Sequence, residues 1–128
     1  MHQFDHVFWF GDFNYRVDLG NHGTSDEFHS VLKHIDAQRL DILLPCDQLA
    51  RQMQMQRVFV GFSEGSINFN PTYRLVKGKR EYSNKKHQNP SYCDRVVWKS
   101  AAGFEGKVIQ TMYNGIFDLL NSDHRPVW

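Results

Sequence analysis

The pattern of apolar and polar positions along the chain predicts a mixture of strands and helices. His6 to Phe10 is apolar and aromatic and stops at Gly11, which predicts a buried strand that leads the next residues to a sheet edge. Ser25-Asp26-Glu27 is typical of a helix start, because acidic residues favour the first turn. The apolar residues that follow have helical spacing: Phe28, Val31, Leu32 and Ile35.

A second helix is predicted from about Cys46 to Gln56, with Met53 and Met55 expected to serve packing. Phe62–Gly65 is predicted to be a turn, and the polar stretch from Lys77 to Pro90 an exposed loop. Further strands are predicted from Ile67 to Phe69, from Tyr92 to Lys99 and from Lys107 to Tyr113. Together these elements indicate an α/β layer architecture.

Composition restricts the possible classes of function. The 128 residues suffice for one compact domain, and 14% are aromatic, which argues against a disordered chain. A formal net charge of +1 excludes a generally basic nucleic-acid coat or an acidic tail. Two cysteines, Cys46 and Cys93, exclude a disulfide-rich secreted scaffold. Neither a membrane span nor a signal peptide is evident, so we expect a soluble, intracellular protein.

Two polar groups at predicted strand ends could carry chemistry. Asp12 and Asn14 lie two residues apart on an extended segment and therefore share a face, where they could hold a hard cation or polarise a water. The same residue types are common in turns. His124 could donate to a phosphate oxygen while Asp123 orients it or holds metal, but taken alone this pair favours a loop of small polar residues before a strand.

Asp94-Arg95, which opens a predicted strand, has two interpretations: an ordinary exposed ion pair, or a carboxylate that holds His124 in one tautomer. A basic stretch surrounds it, and only Glu81 and Asp94 oppose its charge. Such a stretch suits a polyanion such as an inositol phosphate, nucleic acid or an anionic membrane, although a solvated loop is the competing interpretation. The basic residues are Arg74, Lys77, Lys79, Arg80, Lys85, Lys86, Arg95 and Lys99.

The segments that hold these groups resemble motifs of the inositol polyphosphate 5-phosphatase family, both in their residues and in their order along the chain. Trp9 to Arg16 resembles the first family signature, and Pro90 to Val97 resembles the second. Phe62 to Arg74 is similar to the stretch before the substrate loop, and Ser122 to Val127 to the closing motif. The resemblance implies membership of the endonuclease/exonuclease/phosphatase superfamily. The implied fold is α/β: part of a four-layer α/β sandwich with two central mixed β-sheets.

The resemblance also implies a role for each residue of the chemical groups. Asp12 matches the residue that polarises the attacking water, and Asn14 the one that positions this water and steadies the phosphoryl group. His124 matches the donor to the scissile phosphate, and Asp94 the carboxylate that orients it. Asp123 matches the metal and water side of the site, so the resemblance makes it a ligand of Mg²⁺.

Substrate contacts are implied by the same matches. Tyr73, Arg74 and Lys86 fall where the family grips the neighbouring 4-phosphate of the inositol ring, and we count Arg95 with them. The chain departs from the family in having Arg74 where Lys is usual and Gln88 where Arg or Asn is usual. Nothing before Asp12 matches the family's N-terminal half, which supplies an Asn and the main Glu ligand for Mg²⁺.

The expected function is therefore Mg²⁺-dependent removal of the 5-phosphate from phosphoinositides or soluble inositol polyphosphates. We expect residues 1–128 to form one truncated domain, contiguous with a missing N-terminal half and by itself nearly inactive. A cytoplasmic location, peripheral at membranes, goes with this function, and no nucleic-acid partner is expected. The alternatives are a nuclease of the same superfamily and a non-catalytic fragment that binds phosphoinositides.

Overall fold

The computed structural model describes residues 4–128, apart from the side chain of Lys86. In this part of the chain, three strands form one sheet and the α-helices precede its second strand. The strands are β1 (His6–Asp12), β2 (Ser63–Glu64) and β3 (Asp94–Ser100). The helices are α1 (Ser25–Asp36), α2 (Leu40–Leu43) and α3 (Gln48–Gln54), with 3₁₀ turns at Leu44–Cys46 and Lys85–His87. The α/β class predicted from the sequence is confirmed.

The sheet is antiparallel, with β3 between β1 and β2. Its register pairs His6 with Ser100 at one end and Asp12 with Asp94 at the other. The Phe13 amide continues the pairing by donating to the Cys93 carbonyl at 2.8 Å. Two carboxylates from distant parts of the sequence therefore meet at the same end of the sheet.

The strand β1 lies where the sequence predicts it, but it is not buried. The exposed fractions of Phe8, Trp9 and Phe10 are 52%, 52% and 72%. Within residues 4–128, β1 is an edge strand that pairs with β3 alone. The prediction of burial was therefore wrong. An aromatic run has the apolar pattern of a strand whether the strand is buried or lies exposed at the edge of a sheet.

The first helix begins where its acidic residues predicted. The Thr24 hydroxyl caps α1 by accepting a hydrogen bond from the Glu27 amide at 3.2 Å. The face that carries Phe28, Val31 and Ile35 is buried. These contacts give α1 its place in the core, because a helix of this length owes most of its stability to packing.

The second predicted helix is shorter than its pattern suggested. Asp47 caps α3 by accepting from the Ala50 amide at 2.9 Å, so the helix starts at Gln48 instead of Cys46. Leu49 is fully buried, whereas Met55 lies beyond the helix end with 57% of its surface exposed. Met55 is therefore not a core packing residue in the described chain.

Two predicted strands are absent from the described residues. Ile67 and Phe69 are buried in the core but lie in irregular backbone, and Lys107–Tyr113 is also irregular. The short strand β2 instead occupies part of the predicted turn at Phe62–Gly65. Alternation alone cannot create a strand, because a strand also needs a partner for its backbone hydrogen bonds. The second sheet of a sandwich remains an expectation from the resemblance.

A buried ionic network joins the sheet to α3. The Arg95 guanidinium is 1% exposed, lies 2.8 Å from Asp47 Oδ2 and donates to both carboxylate oxygens of Glu64 at 2.7 and 2.8 Å. The Tyr113 hydroxyl also donates to Glu64, at 2.9 Å. Arg95 thus connects the cap of α3 to β2, and Glu64 connects β2 to the segment after β3. None of the helices in the described chain is long and apolar enough to cross a bilayer.

Candidate active site at the end of the sheet

Three side chains from the first, second and last motifs converge at one end of the sheet. Asp12 ends β1, Asp94 begins β3, and His124 comes from the closing segment. Each offers a donor atom, and these atoms all lie within 4.8 Å of one another. We call these residues the Asp–Asp–His group. The convergence of Asp12, Asp94 and His124 is the arrangement that the resemblance implied.

His124 is held by Asp94. Its Nδ1 lies 3.0 and 3.1 Å from the two carboxylate oxygens of Asp94, so the Nδ1–H donates to that carboxylate. The Thr72 hydroxyl donates to Asp94 Oδ2 at 2.7 Å and fixes the carboxylate in turn. The Nε2 atom then points toward Asp12, with 3.9 Å between it and Asp12 Oδ2. This orientation leaves Nε2–H as a donor for a ligand at the same place.

Hydrogen bonding to Asp94 also changes the charge of the imidazole. The pKa of His124 is raised above its ordinary value of 6.5, chiefly because the bond to Asp94 stabilises the charged ring. Partial burial opposes the rise, while the negative charges of Asp94, Asp12 and Asp123 favour it. His124 therefore keeps its positive charge to a higher pH than a free histidine and favours an anionic ligand.

The turn after β1 positions Asn14 beside the Asp–Asp–His group. Its amide N–H donates to Asp12 Oδ1 at 2.8 Å, and its backbone φ of 59° lies in the left-handed region that Asn tolerates. The Arg16 guanidinium donates to the side-chain oxygen Oδ1 of Asn14 and lies 4.5 Å above the centre of the Tyr73 ring. Tyr73 in turn lies against His124, with 4.4 Å between ring centres. The turn and the functional interpretations of Asp12 and Asn14 are thus compatible.

The closing segment brings Asp123 to a different neighbour. Asp123 Oδ2 lies 3.3 Å from Arg74 Nε, and both side chains are partly exposed. Its carboxylate is not among the converging donor atoms of the described residues. The segment is fixed by Arg125, which is fully buried and donates to the carbonyls of Ser122 and Lys79 at 2.6 Å each. Asp123 is therefore placed to hold Arg74.

The donor atoms present suit part of a site for a hard divalent cation. Asp12 is about half exposed, and its Oδ2 accepts no hydrogen bond among the described residues. Asp94 is already engaged by Thr72 and His124, so Asp12 is the carboxylate with capacity for an oxygen-preferring ion. An ion at this place would bring positive charge beside the oxygens of a bound phosphate.

Comparison with known proteins decides the family. The model of the Endonuclease/Exonuclease/phosphatase family 2 matches residues 1–128, the whole chain. The chain belongs to this family. The resemblance to inositol polyphosphate 5-phosphatases in the sequence motifs is confirmed by the relatives and solved structures that follow.

Among the curated relatives of this family member are human phosphatidylinositol 3,4,5-trisphosphate 5-phosphatase 1 and mouse phosphatidylinositol 3,4,5-trisphosphate 5-phosphatase 2. The human protein is 40% identical over 135 residues, which cover 99% of this chain and 11% of the relative. The mouse protein is 37% identical over 134 residues, which cover 98% of this chain and 10% of the relative. The chain thus spans about a tenth of the curated relatives that it matches.

Two solved structures show how the family fold is used. The inositol polyphosphate 5-phosphatase domain of SPsynaptojanin, in complex with inositol (1,4)-bisphosphate and calcium ion, matches with a TM-score of 0.83 and 35% identity, covering 98% of this chain and 34% of that one. A Cimex nitrophorin in a ferrous NO complex matches with a TM-score of 0.78 and 32% identity, covering 96% and 40%. Because the same fold serves a nitrophorin, the function of this family member must be argued from its side chains.

The structure does not bring every predicted site residue to the Asp–Asp–His group. Tyr73 lies beside His124, and Arg74 forms a salt bridge with Asp123, the residue that precedes His124. Arg95 points to the opposite side of β3 from Asp94, because successive strand residues face opposite ways, and its buried guanidinium is unavailable to a ligand. The side chain of Lys86 lies outside the described part of the chain.

Sequence reasoning missed supporting residues of the site. Thr72 fixes Asp94, Arg16 contacts both Asn14 and Tyr73, and Gln88 accepts a hydrogen bond from the Tyr73 hydroxyl at 2.7 Å. Each lies inside or beside a motif that the sequence analysis quoted, so motif membership was the available signal. Their roles depend on contacts across the fold, which the sequence does not specify.

The raised pKa of His124 gives a test of the Asp94 contact. Because the folded-state pKa exceeds the unfolded value of about 6.5, the ion pair stabilises the fold fully below that pH, and the contribution is lost as pH rises through the folded-state pKa. Replacing Asp94 by Asn should lower the His124 pKa and remove this pH dependence. NMR titration of the His124 ring protons, in buffer that contains a chelator, measures the pKa. Unfolding experiments at each pH measure the pH dependence of stability.

The matched control is Asp41→Asn, which removes a carboxylate that pairs with Arg39 in another part of the chain. It should leave the His124 titration unchanged. A His124 pKa that is the same in wild type and in Asp94→Asn would contradict the pairing.

Proposed function

We propose that this chain is part of a phosphatase domain that removes the 5-phosphate from phosphoinositides or soluble inositol polyphosphates. The observation that carries the proposal is the Asp–Asp–His group, in which a histidine held by one aspartate faces a second, partly exposed aspartate. Phosphate ester hydrolysis needs a base for the attacking water and positive donors for the phosphoryl oxygens. The group contains both kinds of side chain.

The proposed chemistry assigns one task to each side chain. Asp12 accepts a proton from the attacking water, and the Asn14 side chain holds this water and a phosphoryl oxygen. His124 donates a hydrogen bond from Nε2–H to an oxygen of the scissile phosphate. The water oxygen bonds to phosphorus as the bond between phosphorus and the inositol oxygen breaks, and that oxygen takes a proton from solvent water. Asp94 keeps the imidazole oriented and charged, which its two short contacts with Nδ1 support.

The proposed substrate is an inositol ring that carries several phosphates. Arg74 pairs with Asp123, which precedes His124 in the chain, and exposed cations follow Arg74 along the sequence. The curated relatives are named for phosphatidylinositol 3,4,5-trisphosphate, and the SPsynaptojanin domain was solved with inositol (1,4)-bisphosphate. Such a substrate would place the protein in the cytoplasm, peripherally at membranes. The exposed cations are Lys77, Lys79, Arg80 and Lys85.

We further propose Mg²⁺ as the divalent ion. The SPsynaptojanin structure was solved with calcium, so a divalent ion is compatible with this fold, and an oxygen-rich site beside a phosphate suits Mg²⁺. Asp12 is the residue of this chain that would contact it, with Asp123 as a second candidate ligand once it is released from Arg74.

The proposal is tested by a chimera. The segment of human phosphatidylinositol 3,4,5-trisphosphate 5-phosphatase 1 that matches this chain is replaced by the chain, and phosphate release is followed from inositol 1,4,5-trisphosphate and from vesicles containing phosphatidylinositol 3,4,5-trisphosphate. We expect turnover that requires Mg²⁺ and stops on chelation. The isolated chain should bind the soluble substrate, with His124 ring signals shifting, but should release little phosphate.

Two other outcomes would replace the proposal. A chimera that binds inositol phosphates saturably without turnover, while the unmodified human enzyme turns over in the same assay, would favour a non-catalytic binding module. Cleavage of an abasic-site DNA duplex with inositol phosphates left intact would favour a nuclease.

A further inference from the structure

A second cluster of potential metal ligands lies in the loop that connects the end of β1 to α1. Asp18, His22 and Glu27 each offer one donor atom, and these atoms all lie within 4.8 Å of one another. The cluster shares no residue with the Asp–Asp–His group. It spans ten positions of sequence, so it is built by the local fold of this loop.

Glu27 is the unusual member of this cluster. Its side chain lies in the first turn of α1 and is only 4% exposed. One carboxylate oxygen, Oε1, accepts a hydrogen bond from the Leu19 amide, but the other, Oε2, is buried and has no hydrogen-bond partner. A buried carboxylate oxygen without a partner is costly, so an unpartnered one points to a ligand.

Ordinary helix capping does not account for this carboxylate. In a capping box, a Glu three residues after the capping Thr accepts a hydrogen bond from the Thr amide. Here the Thr24 amide donates to the Asn21 carbonyl at 3.3 Å, and Glu27 points toward the loop instead. The carboxylate is thus directed toward Asp18 and His22, not toward the end of the helix.

The other two members complete a mixed set of ligands. Asp18 uses Oδ1 to accept from the Gly20 amide at 2.9 Å, while its Oδ2 accepts no hydrogen bond among the described residues. His22 is exposed, so its imidazole is free to approach the carboxylates and water can reach a fourth position. One imidazole with two carboxylates suits Zn²⁺, whereas Mg²⁺ and Ca²⁺ prefer oxygen ligands alone.

We propose that Asp18, His22 and Glu27 form a zinc site that fixes the loop between β1 and α1. Zinc–ligand bonds of ~2 Å place neighbouring donors roughly 3.3 Å apart, so donors that lie within 4.8 Å of one another need to approach by no more than about 1.5 Å. Within this loop, the Val17 amide donates to Ser91 Oγ at 3.1 Å, and the Asp18 amide donates to the Cys46 carbonyl at 3.0 Å. The ion therefore joins α1 to backbone that is already anchored in the core.

The test is a zinc titration of the untagged full chain by calorimetry. All proteins carry His124→Ala and millimolar Mg²⁺ is present, so that the Asp–Asp–His group does not compete for the ion. The reference protein should bind one Zn²⁺, and His22→Ala should weaken binding at least about tenfold. The control is His29→Ala, which removes an exposed histidine that lies in α1 and outside the cluster. This variant should bind zinc like the reference protein. NMR should show the His22 ring signals shifting with zinc and those of His29 unchanged.

His22 is on the surface, so its substitution should leave the fold intact, and the amide spectrum verifies this before each titration. Asp18→Asn is the second variant and should also lose the site. The proposal is overturned if the reference protein binds no zinc or if His22→Ala and His29→Ala bind zinc equally. It is also overturned if Cys46→Ser abolishes zinc binding while His22→Ala does not. These results are independent of phosphatase activity.

Discussion

Replacing Asp12 by Asn in the chimera is expected to lower turnover by roughly 10²–10⁴-fold, because loss of a general base has that size of effect. Asn keeps the shape of the side chain, and its oxygen can still accept the Asn14 amide hydrogen bond. The variant therefore removes the negative charge and the proton acceptor while leaving the turn after β1 in place. Initial rates of phosphate release at saturating Mg²⁺ and substrate measure the effect.

Asp41→Asn is the matched control, since Asp41 is an exposed aspartate that pairs with Arg39 on the surface. It should leave turnover within about twofold of the parent chimera. If Asp12→Asn retains the parent rate, Asp12 is not the base, and the proposed assignment of roles in the Asp–Asp–His group is wrong.

Replacing Arg95 by Ala is expected to destabilise the isolated chain by about 3–5 kcal/mol, because it leaves two carboxylates without their cation. Asp47 and Glu64 both contact the Arg95 guanidinium, and Arg95 and Asp47 are each 1% exposed. Burial raises the pKa of Asp47, and the Arg95 charge opposes that rise, so the arginine offsets a real desolvation cost. Urea unfolding at neutral pH gives the free energy of unfolding of wild type and variant.

The control for this change is Arg39→Ala, which breaks the exposed pair with Asp41. It should change stability little, since solvent screens a surface pair. Equal unfolding midpoints for Arg95→Ala and wild type would show that the buried network is not a source of stability.

The candidate site shows which residues motif reasoning can bring together. Asp12, Asn14, Asp94 and His124 were selected from three separate motifs, and the structure brings them to one end of the sheet. The motifs carried this information because each places a polar residue at the end of a predicted strand or in a polar loop. Arg95 shows the limit, because a charged residue in the same motif faces the core and joins a network with Asp47 and Glu64.

The fold shows the same division. The helix at Ser25–Asp36 was predictable because its acidic first turn and its apolar spacing are both local features. Burial of β1 was not, because Phe8 and Phe10 have the same apolar character whether or not another layer covers them. The segment from Lys107 to Tyr113 resembles a strand but finds no ladder partner in the described chain.

By itself, the sequence determined the α/β class, the first helix, the strands around Phe8 and Val97, and the residue types available for phosphate chemistry. These depend on spacing along the chain and on side-chain chemistry. Only the tertiary structure decided that Asp94 holds His124, that Asp123 turns to Arg74 and that Arg95 is buried. Those outcomes depend on strand register and on which face each side chain occupies, which are set by contacts between residues far apart in the sequence.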